Sequence, residues 1–214
     1  MIDSFRHKGM RKKLVDQLSQ KGIEDQRILD AFMKIPRHYF LDNAFAQQAY
    51  SDMAFQIGAG QTISQPYTVA FQTQLLVVEK GDKILEIGTG SGFQTSILCE
   101  LGAKVFSIER QRELFLKAKP LVESLGYKPK LKYGDGFEGW EAFAPYDKVL
   151  ITCGAPVIPE KLVKQLKPDG RMVIPLGAGN VQEMILLNKS STGEVSQRSY
   201  GKFQFVPMLK DTER

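Results

Sequence analysis

The chain has 214 residues, 43% of them hydrophobic, which is enough for one domain with a sizeable core. No apolar run approaches the roughly 18 residues of a membrane span, and the basic opening "MIDSFRHKGMRKK" lacks the apolar stretch of a secretory leader, so a soluble cytoplasmic protein is expected, with a monomer as the default. Cys99, Cys153 and the two histidines are spaced neither as a disulfide framework nor as a zinc site, and the net charge of +5 falls in short basic runs that fit a solvated face better than a nucleic-acid stripe.

In chain order, Leu14, Val15 and Leu18 predict a helix over 10–20, closed by Gly22. Ile28, Leu29 and Phe32 predict a second over 25–34, stopped by Pro36. The stretch "AFAQQAYSDMAFQIGAG" at 44–60 keeps no sustained period and reads as loop and short edge structure. Pro66, tolerated in a first helical turn, opens a helix to about residue 78, and Ser64 reads there as a cap. Residues 1–78 are thus a helical cap and substrate-side segment, and 79–214 the core of one compact unit.

In that core, strands are expected over Lys83–Ile87, 104–108, Lys130–Tyr133, Tyr146–Ile151 and 171–174, with helices over 91–101 and 160–166 and helical fragments up to Phe143. Two last strands, 182–188 and 195–205, are joined by the turn "KSSTGE". Such alternation predicts an α/β fold, a doubly wound and mostly parallel sheet of about seven strands with an antiparallel edge.

The stretch "KILEIGTGSGF" marks the ligand corner of that sheet. Its glycines, 88, 90 and 92, run G-x-G-x-G, whereas a dinucleotide fingerprint runs G-x-G-x-x-G. Glu86, two positions before Gly88, would repel a pyrophosphate and suits the ammonium group of an amino acid, so S-adenosylmethionine fits better. Glu109 ends the second strand 21 residues past Gly88, where ribose hydroxyls are bound in such folds. Asp135, between two glycines after the third strand, is placed to reach an adenine amino group.

"GQTISQP" at 60–66, with "AYSD" at 49–52, "IPRHYF" at 35–40, "GDG" at 134–136 and "IPEKLVKQLKPDGRMVIPLG" at 158–177, resembles the protein-L-isoaspartate (D-aspartate) O-methyltransferase family over about residues 22–206. The resemblance implies a class I, Rossmann-like methyltransferase that uses S-adenosyl-L-methionine and no metal. Its substrates would be isoaspartyl and D-aspartyl residues of damaged proteins, methylated on the free α-carboxyl to give an ester that collapses to a succinimide. Residue by residue, it implies Ser64 as catalytic. Thr62, Ile63, Glu86, Gly88, Thr89, Gly90, Ser91, Glu109, Arg110, Asp135 and Gly136 fall on the cofactor side, and Ile57, Gln65 and Val206 on the substrate side. Ala59, Cys153, Met208 and Leu209 depart from the family pattern.

A carboxylate with a pKa of about 3.5 is already ionised at neutral pH, so such an acceptor needs no strong general base, and the scarcity of histidine becomes intelligible. Two rivals stand against this. A nucleic-acid amino-methylase would carry an Asn/Asp-Pro-Pro-aromatic turn after the fourth strand, and a cytosine-C5 enzyme a Pro-Cys nucleophile, whereas this loop reads Thr152-Cys153-Gly154-Ala155-Pro156. The other is a binding protein that keeps the fold without the chemistry, which the presence of Ser64, Glu109 and Asp135 disfavours.

Overall fold

In the computed structural model, which describes residues 2–213, α1 spans Phe5–Gln20 and so begins before residue 10. Its first turn rests on a polar cap, invisible to a hydrophobic period: the Ser4 hydroxyl accepts the His7 N–H, and the His7 ring accepts the Ser4 N–H. Asp25 caps α2, Gln26–Lys34, by accepting the Arg27 N–H. Leu14, Val15 and Leu18 of α1 and Ile28, Leu29 and Phe32 of α2 bury against one another.

In the stretch without a period, β1 (Phe55–Gly58) and β2 (Gln61–Ile63) pair as an antiparallel hairpin. Its turn carries Gly58, Ala59 and Gly60 at positive φ of 99°, 49° and 65°. The following helix, α3 (Pro66–Leu76), has Gln65 at its cap position and no side-chain cap bond, so Ser64 is not the cap that the sequence suggested.

Seven further strands build the main sheet: β3 (Lys83–Ile87), β4 (Lys104–Glu109), β5 (Lys130–Tyr133), β6 (Tyr146–Ile151), β7 (Leu166–Leu176), β8 (Gln182–Lys189) and β9 (Val195–Phe203). Their order is β5-β4-β3-β6-β7-β8-β9. β5 to β7 are mutually parallel, and β8 runs antiparallel to both neighbours. α4 (Phe93–Glu100), α5 (Arg112–Ser124) and α6 (Glu160–Gln165) connect them. The sequence pattern left α5 without an element. Its buried stripe is narrow, Leu114, Ala118 and Val122, and Pro120 interrupts it.

After β3 the chain builds outward through β4 and β5, then crosses back to place β6 on the other side of β3. The crevice between the carboxyl ends of β3 and β6 is therefore the switch point at which open α/β sheets bind ligands. Gly92 lets α4 start close against α5, because a Cβ there would lie 2.6 Å from Val122 Cγ2 and push the two helices apart. No described helix is long and apolar enough to cross a membrane.

Candidate active site

The glycine turn forms one wall of a cleft at this switch point, with Gly88 to Ser91 all on its lining. A Cβ on Gly88 would sit 2.5 Å from Thr152 Oγ1. That hydroxyl lies 2.7 Å from the Gly88 carbonyl and 2.9 Å from that of Ile87, stitching the end of β6 to the end of β3. A side chain at 88 would open this seam, which is the reason for glycine here.

Glu109 ends β4 on the same lining, 4% exposed. Its two oxygens accept the Gly90 and Gln111 N–H groups, each at 2.8 Å. Burial raises its pKa, and those backbone donors work against the rise. Each oxygen keeps a second lone pair, so the carboxylate can accept further hydroxyl donors. Arg110 lines the cleft beside it and turns its guanidinium to the C-terminal segment, 3.1 Å from the Asp211 carbonyl and 3.0 Å from Glu213 Oε2.

Gln61, Thr62, Ile63 and Ser64, descending from the β1–β2 hairpin, form the opposite wall. Beyond them a second groove runs along Asp52, Gln65, Tyr67 and the stretch from Lys202 to Val206. Thr62, Ser64, Thr152 and Val206 line both cavities, so Ser64 stands at the passage between them.

Three predicted site residues lie elsewhere. Glu86 is fully buried and does not line the cleft: alternation along β3 turns it under α4, where Thr95 donates to it. Its other oxygen, Oε1, has no partner among the described residues. Burial pushes its pKa up to about 7, against the Thr95 hydrogen bond. Asp135 is also off the lining, since one oxygen accepts the Phe137 N–H at 2.8 Å and the other the Asp211 N–H at 2.9 Å; its neighbour Gly136 does line the cleft. Ile57 lines neither cavity and packs over the glycine turn, with Cδ1 3.7 Å from where a Cβ of Gly90 would be.

Several lining residues were missed, among them Asp52, Gln94, Thr152 and the tail Pro207–Leu209. Asp52 sat in "AYSD", Thr152 in the loop after the fourth strand and Met208 and Leu209 among the departures from the family pattern, but none of them was read as a site residue. Cys153 lies on the lining, and burial pushes its thiol up to about 12, away from the thiolate form that a nucleophile needs. Asp3, His7 and His38 offer ligand atoms within 4.8 Å of one another in the cap, away from both cavities. The two rings stack at 3.9 Å and the Arg11 guanidinium holds Asp3 at 2.6 Å, so an incoming cation would meet a positive charge.

Comparison with known proteins gives a consistent picture. The family model for protein-L-isoaspartate (D-aspartate) O-methyltransferase matches residues 9–213. A protein-L-isoaspartate O-methyltransferase of Christiangramia forsetii is 54% identical over 212 residues, 99% of each chain. One of Salinibacter ruber is 44% identical over 99% of this chain and 96% of its own. A solved protein-L-isoaspartate O-methyltransferase superimposes with a TM-score of 0.84 at 30% identity, over 92% of this chain and 65% of that one. A Plasmodium falciparum structure described as this type of enzyme, in complex with S-adenosyl-L-homocysteine, shares the fold at a TM-score of 0.81 and 20% identity, over 94% of this chain and 99% of its own.

Proposed function

The chain belongs to the protein-L-isoaspartate (D-aspartate) O-methyltransferase family, and from that premise we propose how its two cavities divide the work. It is an S-adenosylmethionine-dependent enzyme that methylates isoaspartyl residues of proteins. In our reading the cleft between β3 and β6 takes the cofactor and the groove between Asp52 and Lys202 takes the peptide. The observation that carries this is Ser64, which lines both.

The cleft fits the cofactor chemically. It offers a glycine edge against which a ligand can lie, the Glu109 carboxylate for ribose hydroxyls, and Ile87, Ile108 and Val206 as apolar walls. Gly136 packs closely under Ile87 and Met208, where a Cβ would lie 2.4 Å from Ile87 Cγ2. Thr62, Ile63, Thr89, Ser91 and Arg110 complete that side. Asp135, with both oxygens engaged by backbone, serves there by holding the tail in place.

S-Adenosylmethionine, when bound, supplies a methyl group on a positively charged sulfur. The acceptor carboxylate is ionised at neutral pH, so the protein has only to hold it in line and exclude water. Ser64 does this by donating its hydroxyl to the free α-carboxylate, flanked by Gln65 and Val206 in the groove. In an isoaspartyl residue that carboxylate sits on Cα, whereas an ordinary aspartate carries it one methylene farther out. A shift of about 1 Å costs on the order of a hundredfold in rate, which is the discrimination the groove supplies.

We further propose a monomeric, cytoplasmic enzyme that acts on proteins and not on nucleic acids or membranes. Unpaired Cys99 and Cys153 suit a reducing compartment. The decisive experiment offers labelled cofactor to paired peptides that differ only in Asp versus isoAsp, and to RNA. Label is expected on the isoaspartyl peptide alone, released by mild alkali as methanol; alkali-stable label, or equal labelling of both peptides, would overturn the reading.

A further inference from the structure

We infer that Asp52 is a positioning residue for methyl transfer: its carboxylate suspends the Ser64–Gln65–Pro66 turn and so sets where the Ser64 hydroxyl meets the acceptor. The inference rests on the reading of Ser64 given above.

The turn has little local support. α3 follows it without a side-chain cap, Ser64 faces the cavities, and Pro66 has no N–H to contribute. Asp52 supplies the missing partner from outside the helix. One oxygen accepts the Tyr67 N–H at 2.8 Å, and the other accepts Gln65 Nε2 at 3.1 Å. A carboxylate at this position caps α3 from a distance and faces the positive end of its dipole. Lys21 Nζ, 2.6 Å from the second oxygen, completes its shell on the solvent side.

Asp52 is itself rigidly placed. Arg37, 1% exposed, reaches up from beneath and donates Nε to the Ala49 carbonyl at 3.0 Å and a terminal nitrogen to that of Met53 at 3.2 Å. The two bonds clamp the segment on both sides of residue 52. The same guanidinium lies 5.1 Å over the Phe93 ring, at the start of α4 and on the cleft lining. A buried arginine thus ties the loop that bears Asp52 to the wall of the cleft, and Asp52 ties that loop to Ser64.

The test measures kcat and KM for an isoaspartyl peptide and cofactor Kd by calorimetry, in Asp52→Ala, Asp52→Asn, Ser64→Ala and the double Asp52→Ala/Ser64→Ala variant. A shift of about 1 Å in the turn should cost Asp52→Ala about ten- to a hundredfold in kcat/KM. Cofactor Kd should stay within about twofold, and Asp52→Asn, which keeps an acceptor for the Tyr67 N–H, should recover most of the rate. If Asp52 acts through Ser64, adding Asp52→Ala to Ser64→Ala should slow the enzyme by less than about threefold, the signature of residues that work as a unit. A residue that served stability alone would lower the melting temperature and leave kcat of the folded variant intact.

Wild-type kcat/KM in Asp52→Ala, or losses that multiply in the double variant, would overturn the inference. Ser64→Ala alone reports on the underlying reading: wild-type turnover there would remove Ser64 from the reaction without any substitution at Asp52.

Discussion

Three side chains, one beneath the cleft and two on its lining, carry separable consequences. Glu86 is fully buried with one oxygen unpartnered, and its folded-state pKa is raised from 4.5 to about 7. Because the folded state holds its proton more tightly, the contribution of this group to stability is present below about pH 4.5 and is lost as pH rises through 7. Glu86→Gln removes the titration, so its stability relative to the parent should climb between pH 5 and pH 8.5 by up to about 3 kcal/mol, read from denaturant midpoints. A difference independent of pH would mean that Glu86 does not titrate in this range. Glu109→Ala should weaken cofactor binding about ten- to a hundredfold, the worth of about 1.5 to 3 kcal/mol of charged hydrogen bonds, and it also orphans the Gly90 and Gln111 N–H groups. Unchanged affinity by calorimetry would take Glu109 out of the site. Ser64→Ala should keep both its stability and its cofactor affinity, since Ser64 caps nothing, while kcat for an isoaspartyl peptide falls strongly. A melting temperature lowered by the loss of about 1 kcal/mol, with turnover intact, would restore the capping role.

At the scale of elements, the C-terminal segment is a strap across the mouth of the cleft. Gly154 exchanges backbone bonds with Val206 and Met208, each at 2.8 Å, which brings Pro207 to Leu209 onto the lining. Farther on, Asp211 is held by Asp135 and Arg110, and Glu213 by backbone bonds to Arg110 and Arg112. A chain ended at Leu209 loses this second anchor and should bind S-adenosylhomocysteine about tenfold more weakly, a change of about 1.4 kcal/mol. Peptide KM should move less, because the groove is formed upstream; calorimetric affinity equal to that of the full chain would show that the strap does not bear on the ligand. Val206, Met208 and Leu209 stood out in the sequence, but the closure of the strap did not, because its bonds reach back across the chain, as from Asp211 to Asp135, and leave no local period. Strands β3, β5 and β6 were legible to the residue as short apolar or alternating runs bounded by turn residues. The β1–β2 hairpin was not, since strands of four and three residues are too short for alternation to register. Acids at strand ends do not all face one way, because facing is set by pleat and partners: Glu109 reached the cleft while Glu86 turned beneath α4.

For the whole molecule, we propose that residues 1–78 and 79–214 fold as one cooperative unit although they differ in architecture. The core beneath the cap is shared: Leu14, Ile28 and Phe32 lie in the same buried cluster as Phe93, Ile97 and Val122. Phe93 is the pivot, meeting the Phe32 ring edge-on at 5.5 Å and the Phe40 ring at 5.3 Å, with the Arg37 guanidinium 5.1 Å above it. Unfolding the cap alone would expose this apolar surface on both halves, at about 25 cal/mol for each Å², so the half-unfolded state is strongly disfavoured. Heat unfolding followed by the fluorescence of Trp140, the single tryptophan, and by hydrogen exchange in α1 and α2 should give coincident transitions. S-Adenosylhomocysteine at about 100 times its Kd adds about 2.7 kcal/mol of stability, which for a chain of this length raises the midpoint by about 5 to 11 °C. Both probes should move together by that amount, because Ile63 and Ser64 from the cap line the same cleft as Gly88 and Glu109 from the core. A cap transition that stays in place while that of Trp140 shifts would show two units, with the site completed only when they dock.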